Sequence, residues 1–193
     1  MKIVGITGGI GSGKTTVCSF FESWGVPVYY ADKEAKALMN RSKVIRRKLT
    51  SLFGEASYVN DELNRDFIRK QIFENAGLLE QMNSIVHPKV ASNFKRWVKK
   101  QDAPYILKEA AIIFEIGQEH AYDAVILVVA NEDERIKRVI KRDCKTAKEV
   151  KAIIENQWPD SEKEKKADFT ITNNRLDKAE KEALAIHKTL LKN

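Results

Sequence analysis

A glycine-rich segment near the start of the chain has the residue types and the spacing that hold a nucleotide phosphate. The segment Gly8-Gly9-Ile10-Gly11-Ser12-Gly13-Lys14-Thr15 fits the P-loop pattern G-x-x-x-x-G-K-[ST] at every fixed position. Its glycines allow backbone N–H groups to turn inward around a β-phosphate. Lys14 can bridge the β- and γ-phosphates, and the Thr15 hydroxyl can ligate Mg²⁺. We expect a helix to follow, with its positive end towards the anion and with Thr16 as a further nucleotide-binding residue.

A P-loop predicts nucleotide binding without distinguishing a kinase from a GTPase switch or a motor. The sequence contains no DxxG element. The guanine-reading motif NKxD has a near match in Asn174-Arg175-Leu176-Asp177, where arginine replaces lysine. A motor would need more than the 193 residues of this chain. These observations favour a small kinase and leave a nucleotide-dependent binding switch as the alternative of another class.

A small kinase also needs a carboxylate for the acceptor hydroxyl and arginines for the charge of the transition state. Asp32 closes the second predicted strand, where it is a candidate base or a cap of the next helix. Arg138 and Arg142 lie four residues apart, so they share a helical face that closes over phosphates or is simply solvated. Glu109 or Glu115 could orient a Mg²⁺-bound water, or either could be a solvated residue at a strand end.

Strands and helices alternate along the sequence. Helical periodicity between apolar segments predicts a doubly wound α/β fold, with a five-stranded parallel sheet and helices on both faces. The predicted strands are Lys2–Thr7, Pro27–Ala31, Tyr105–Ile113, Ala124–Ala130 and Asp168–Thr172. The predicted helices are Lys14–Trp24 with Gly25 as its stop, Asp61–Phe73, Leu78–Lys100, Glu132–Arg142 with Asn131 as its N-cap, a helix opened by the capping box Thr146–Glu149, and Leu176–Leu191.

The spacing of these elements indicates one domain with an insertion. About seventy residues separate the second and third strands, too many for a simple crossover, so residues 33–100 are predicted to form a helical subdomain. In such folds ligands bind at that edge of the sheet. The charge run Glu162–Lys166 is predicted to be a solvated helical face.

Composition limits the partners and the location. Hydrophobic residues make up 43% and charged residues 32% of the chain, which is typical of a globular protein. The net charge of +7 favours an anionic partner: nucleic acid, membrane headgroups or a phosphorylated metabolite. Cys18 and Cys144 form no CxxC pair, the N-terminus has no apolar h-region of the signal-peptide type, and no apolar run approaches the ~18 residues of a membrane helix. We therefore expect a cytoplasmic protein.

Further positions along the chain combine with these residues into one set. The set consists of Gly5 to Lys14; Ala31-Asp32; Leu63-Asn64-Arg65, Arg69 and Phe73; Asn83, Ile85 and His87-Pro88; Ile112-Ile113-Phe114-Glu115; Arg138, Arg142-Asp143, Gln157, Lys163 and Ala167-Asp168; and Ile171 and Asn173. Taken together, these positions resemble the dephospho-CoA kinase family over nearly the full length of the chain. The set is more specific than the P-loop, because the N-R and H-P elements are not shared by nucleoside monophosphate kinases in general.

The resemblance implies transfer of the γ-phosphoryl group of ATP, with Mg²⁺, to the ribose 3′-hydroxyl of dephospho-CoA. It implies that Asp32 is the base, that residues 33–100 bind the CoA moiety, and that residues 138–165 form a lid. His87 and either Arg65 or Arg69 would face the acceptor, and Asn173 would lie near the adenine.

The implied partner is a small molecule rather than nucleic acid or a membrane, and the implied state is a monomer or a weak homo-oligomer. Ala111, Cys144, Thr172 and Arg175 depart from the family pattern. These departures affect the loops near the adenine. Another P-loop metabolite kinase is the second alternative.

Overall fold

The sheet is parallel and has five strands in the computed structural model, which describes residues 1–75 and 77–192. In chain order the strands of the molecule are β1 (Lys2–Thr7), β2 (Val28–Tyr30), β3 (Tyr58–Val59), β4 (Glu62–Leu63), β5 (Tyr105–Glu109), β6 (Ala124–Val129) and β7 (Phe169–Thr172). The five-stranded sheet has the order β2-β5-β1-β6-β7, and β3 and β4 form a separate antiparallel pair. The predicted five-stranded parallel sheet is therefore confirmed.

The helices also follow the predicted alternation. In chain order they are α1 (Lys14–Ser23), α2 (Ala31–Arg41), α3 (Lys43–Phe53), α4 (Arg65–Glu74), α5 (Gly77–Val98), α6 (Glu132–Asp143), α7 (Ala147–Glu155), α8 (Asp160–Glu164) and α9 (Leu176–Lys192). The capping box at Thr146 and Glu149 is present. Asn131 occupies the N-cap position of α6 as predicted, but its side chain makes no capping hydrogen bond.

Strand β5 is shorter than predicted. It ends at Glu109, which pairs in register with Ile6 of β1, rather than at Ile113. The chain of β1 turns away into the P-loop after Thr7, so the apolar residues after Glu109 have no strand partner to continue the ladder. Ile113 is buried in a packed cluster beside β6 instead.

The chain divides into two compact units, of which the first contains the sheet. This unit consists of Met1–Tyr30 together with the chain from Gln101 onward. Alternate residues of β6 point to opposite faces of the sheet: Ile126 and Val128 pack into one buried cluster with residues of α1 and α9, and Val125 and Leu127 pack into another. Two buried faces explain why β6 is apolar throughout.

The second unit, Ala31–Lys100, contains helices α2 to α5, the β3–β4 hairpin and its own apolar core. The predicted helix Asp61–Phe73 starts too early. Asn60 and Asp61 have positive φ angles of 49° and 66° and form the turn of the hairpin. Helix α4 begins only after Asn64, whose side chain caps it by accepting a hydrogen bond from the N–H of Phe67.

The two cysteines lie in contrasting surroundings. Cys18 is fully buried in α1, and burial raises the pKa of its thiol. Cys144 is exposed and ends α6 in a left-handed conformation, with φ of 53°. Within residues 1–75 and 77–192, the helices fall short of the length and apolar character of a membrane span.

Candidate active site

The P-loop joins the central strand β1 to helix α1. Its geometry depends on glycine at two positions in particular: Gly11 and Gly13 have φ angles of 77° and 88°, which L-residues with a Cβ rarely adopt. A Cβ at Gly11 would also lie 2.5 Å from the carbonyl oxygen of Arg135. The loop therefore keeps its shape only with glycine at these positions.

Lys14 and Thr15, at the start of α1, stand where a P-loop requires them. The Nζ of Lys14 donates hydrogen bonds to the carbonyl oxygens of Gly8 (2.8 Å) and Gly9 (3.3 Å), so the ammonium group lies over the loop. Thr15 and Thr16 are exposed in the first helical turn. Within the described part of the chain, no hydrogen bond involves the Thr15 hydroxyl, which leaves this oxygen available to a ligand.

The end of the loop next to α1 is held by two of the predicted site residues. Asn173, buried just after β7, donates from Nδ2 to the carbonyl oxygen of Ser12 at 2.8 Å. Arg138 of α6 donates from Nη2 to the carbonyl oxygen of Asn173 at 2.8 Å and from Nη1 to that of Ser12 at 3.4 Å. Both residues therefore contact the P-loop, where their side chains hold backbone carbonyls.

The outer edge of the loop is held by Arg135, which the sequence analysis missed. Its Nε donates to the carbonyl oxygen of Ile10 at 2.9 Å, and its Nη1 pairs with Asp160 at 3.1 Å. Gln157 accepts the N–H of Ile10 at 2.8 Å. The spacing of Arg135 and Arg138, three apart in α6, was the available signal, since such residues lie on neighbouring parts of one helical face.

Arg142 of α6 lies at the protein surface and pairs with its neighbour in the sequence. Its guanidinium donates two hydrogen bonds to the neighbouring Asp143, at 2.7 and 2.8 Å, and its side chain is 65% exposed. The pairing with Asp143 raises the pKa of Arg142. The helix thus carries Arg138 at the P-loop and Arg142 at the surface, although the two are only one turn apart.

The two candidate glutamates occupy different environments. Glu109 is buried at the end of β5, beside the strand that leads into the P-loop. Glu115 forms an ion pair with Lys163 of α8, at 2.8 Å, and Lys163 is only 1% exposed. The expectation of a solvated charge run is therefore wrong at Lys163, and Glu115 is not a solvated strand-end residue.

The second unit holds the predicted acceptor residues. Asp32 is exposed in the first turn of α2, two residues after the last residue of β2, so the strand stops just short of it. His87 is exposed on α5, which continues through Pro88. Arg65, Asn64, Asn40 and neighbouring residues line a groove of about 670 Å³.

Arg69 is not among the residues that line this groove; it pairs with Asp66 on the exposed face of α4. The two arginines that the sequence could not separate therefore differ in position, since Arg65 lines the groove and Arg69 does not.

The contacts observed also bear on the possible guanine-reading motif at Asn174–Asp177. The side chains of this near match are bound to neighbouring protein groups, because Asn174 exchanges hydrogen bonds with Asn131, and Asp177 pairs with Arg175.

Among the described residues, no group of three or more His, Cys, Asp or Glu side chains could hold a metal ion. Mg²⁺ that accompanies a nucleotide binds few protein groups and takes oxygen ligands, and the exposed Thr15 hydroxyl is an oxygen of that kind.

Comparison with known proteins identifies the family. The sequence profile described as dephospho-CoA kinase matches residues 2–178. This chain belongs to the dephospho-CoA kinase family. The dephospho-CoA kinase of Salinibacter ruber is 40% identical over 177 residues, which are 90% of this chain and 89% of the relative. The predicted family and the predicted ATP-dependent kinase activity are confirmed.

Solved structures agree with the fold of the family. A Thermus thermophilus protein named TT1252 has a TM-score of 0.89 and 32% identity, covering 98% of this chain and 97% of its own. Dephospho-CoA kinase from Campylobacter jejuni has a TM-score of 0.72 at 23% identity, again covering 98% and 97% of the two chains. The P-loop kinase fold of this family member is thereby confirmed.

Proposed function

We propose that this protein transfers the γ-phosphoryl group of ATP to the ribose 3′-hydroxyl of dephospho-CoA and so completes coenzyme A. The observation that carries the proposal is a complete P-loop, with Lys14 lying over it, in a chain matched by the family from residue 2 to residue 178. The known chemistry of P-loop kinases is positioning and charge stabilisation, which this loop can supply.

The P-loop provides the donor half of the site. Apart from the N–H of Ile10, which donates to Gln157, the backbone N–H groups between Gly8 and Gly13 are assigned to the β-phosphate, and Lys14 would leave its carbonyl partners to bridge the β- and γ-phosphates. We place Mg²⁺ at the exposed Thr15 hydroxyl, where bound Mg²⁺ would neutralise charge on the phosphate oxygens. Thr16, in the same exposed turn, also lies on the nucleotide side, and Asn173 supports the loop near the adenine end.

The region 138–165 is proposed to act as the lid. It comprises the second half of α6 with α7 and α8. Arg138 already lies at the loop, and Arg142 is exposed, so we assign Arg138 to the bound phosphates and Arg142 to the transferred phosphoryl group when the lid closes. Closure would add positive charge in the transition state and would exclude water, limiting hydrolysis of ATP.

The unit Ala31–Lys100 is proposed to bind the acceptor. Asp32 is the proposed base or orienting group for the 3′-hydroxyl, since its exposed carboxylate lies two residues after the end of β2, a strand of the sheet that also contains β1, which leads into the P-loop. Arg65 of the groove is the preferred partner for the acceptor diphosphate, with His87 and Arg69 as further candidates. A cytoplasmic location and a monomeric or weakly oligomeric state stay predictions from the sequence.

The test is an ADP-release assay with Mg²⁺-ATP and a panel of acceptors: dephospho-CoA, adenosine, the nucleoside monophosphates and shikimate. The product should gain one phosphate by mass, and Lys14→Ala should abolish turnover while the thermal unfolding transition is retained. Turnover with dephospho-CoA alone supports the proposal. Turnover with another acceptor would keep the kinase and reject this substrate.

A further inference from the structure

The outer edge of the P-loop is held at both polar groups of a single residue. Ile10 donates its N–H to Gln157 at 2.8 Å and accepts at its carbonyl oxygen from Arg135 at 2.9 Å. Gln157 follows α7, and Arg135 belongs to α6, so two separate elements fix the same peptide segment. A loop restrained on two sides cannot swing outward without breaking both hydrogen bonds.

The side chain that donates to the carbonyl oxygen of Ile10 is the buried guanidinium of Arg135. The side chain of Arg135 is 7% exposed, and its charge is balanced by Asp160 of α8 at 3.1 Å. A buried charge is tolerated when it is both paired and hydrogen-bonded, and the guanidinium meets both conditions with three different partners. Its fork-shaped donors are therefore fixed in one orientation.

Packing adds a second restraint. A Cβ at Gly9 would run into the guanidinium of Arg135, and a Cβ at Gly11 would lie 2.5 Å from the carbonyl oxygen of the same residue. The loop thus packs directly against Arg135 at Gly9 and Gly11. A side chain at either position would disrupt this contact.

We propose that Arg135 is a positioning residue that holds the P-loop in its phosphate-binding shape, together with Gln157 and Asp160. The inference rests on the proposed function only in taking this loop to bind ATP. Without the restraint, the loop amides would have to be ordered when the nucleotide binds, and that ordering costs affinity. Lysine cannot replace arginine here, because a single ammonium group cannot reproduce the fixed fork that joins Ile10 to Asp160.

The experiment compares three variants, Arg135→Lys, Arg135→Gln and Asp160→Asn, with a matched control, Lys137→Gln. Lys137 is exposed on the same helix and lies outside the proposed lid, and its variant also removes one positive charge. Affinity for the ATP analogue adenylyl imidodiphosphate is measured by calorimetry with Mg²⁺ and without acceptor. The KM for ATP, the kcat at saturating ATP and the thermal unfolding midpoint are measured in parallel.

We expect both Arg135 variants to weaken analogue binding by about 10- to 100-fold, the loss that accompanies one charge-assisted hydrogen bond. The kcat at saturating ATP and the KM for dephospho-CoA should stay close to wild type, and Asp160→Asn should shift affinity in the same direction. Lys137→Gln should bind normally.

Normal analogue affinity in both Arg135 variants, with only a lower unfolding midpoint, would overturn the inference and leave Arg135 as a core residue. A fall in kcat at unchanged affinity would also overturn it. If Arg135→Gln does not fold, Arg135→Lys and Asp160→Asn still decide the question. A wild type that binds the analogue but does not turn over dephospho-CoA would reject the proposed function and leave this inference to be judged on affinity alone.

Discussion

The Nζ of Lys163 lies 2.8 Å from a carboxylate oxygen of Glu115, and the lysine is almost fully buried. This pair joins α8 to the turn that follows β5. Removing one partner leaves the other charge without compensation, so we expect Glu115→Gln to lower the free energy of unfolding by about 3–5 kcal/mol. Urea unfolding followed by circular dichroism measures this.

Two variants sharpen that measurement. The apolar double variant Lys163→Met/Glu115→Leu should lose much less stability than Glu115→Gln, because neither charge then remains buried. Lys165→Met removes a neighbouring exposed lysine and should change stability by less than about 0.5 kcal/mol. Equal losses of stability in Glu115→Gln and in the double variant would show that an uncompensated buried charge is not the cause of the destabilisation.

Asp32→Asn tests the proposed base. The exposed carboxylate contributes little to packing, so the unfolding transition should be unchanged while kcat falls by about 10²- to 10⁴-fold. The kcat is measured at saturating ATP and dephospho-CoA, with Glu55→Gln as an exposed carboxylate control in the same unit. Near-normal turnover of Asp32→Asn would exclude this residue as the base.

Arg138 and Arg142 form a natural matched pair. We expect Arg138→Met to lower stability by about 1–3 kcal/mol, because it leaves carbonyl oxygens of the P-loop and of Asn173 without their donor. Arg142→Met should leave stability within about 0.5 kcal/mol, because its side chain is exposed.

Both arginine variants should lower kcat if both arginines act in the lid, and this is measured by ADP release under saturating substrates. Full activity of Arg142→Met would remove that residue from the proposed lid chemistry. Full stability of Arg138→Met would show that its contacts with the P-loop are dispensable.

His187 gives a prediction for pH. Its Nδ1 is 2.6 Å from the hydroxyl of Tyr105, its ring packs against Trp24, and burial lowers its pKa from the usual 6.5. The unfolded chain therefore binds the proton more readily than the folded one, so this contribution to stability is present above pH 6.5 and is lost as the pH falls below it.

Urea unfolding of wild type and His187→Gln at about pH 7.5 and about pH 5.5, on either side of the ordinary histidine pKa, tests this. The variant should lose less stability than wild type on acidification. An identical pH dependence of the two proteins would refute the assignment to His187.

Much of the nucleotide half of the site could be predicted because it is encoded locally. The P-loop pattern lies within eight consecutive residues, β1 has the predicted bounds, and the capping box of α7 is formed by residues three apart. Each of these features depends on interactions between near neighbours in the sequence.

The residues that sequence analysis missed depend on contacts between distant segments. Arg135 reaches Ile10, 125 residues away, and its spacing from Arg138, the signal that the sequence offers, places it on a helical face without marking it as buried. Lys163 lies in a charge run typical of a solvent-exposed helix, and only the fold brings Glu115 to it. The predicted helix Asp61–Phe73 began too early for a local reason. Asn60 and Asp61 adopt left-handed conformations, which helical periodicity in the sequence does not reveal.

The contrast between the two cysteines makes the native chain suitable for single-site labelling. Cys18 is enclosed by the core and its thiol resists ionisation, whereas Cys144 is exposed at the end of α6. A maleimide dye should therefore attach at Cys144 without any engineered substitution. Because that position falls within residues 138–165, fluorescence from the dye can follow nucleotide-dependent movement of the proposed lid in real time.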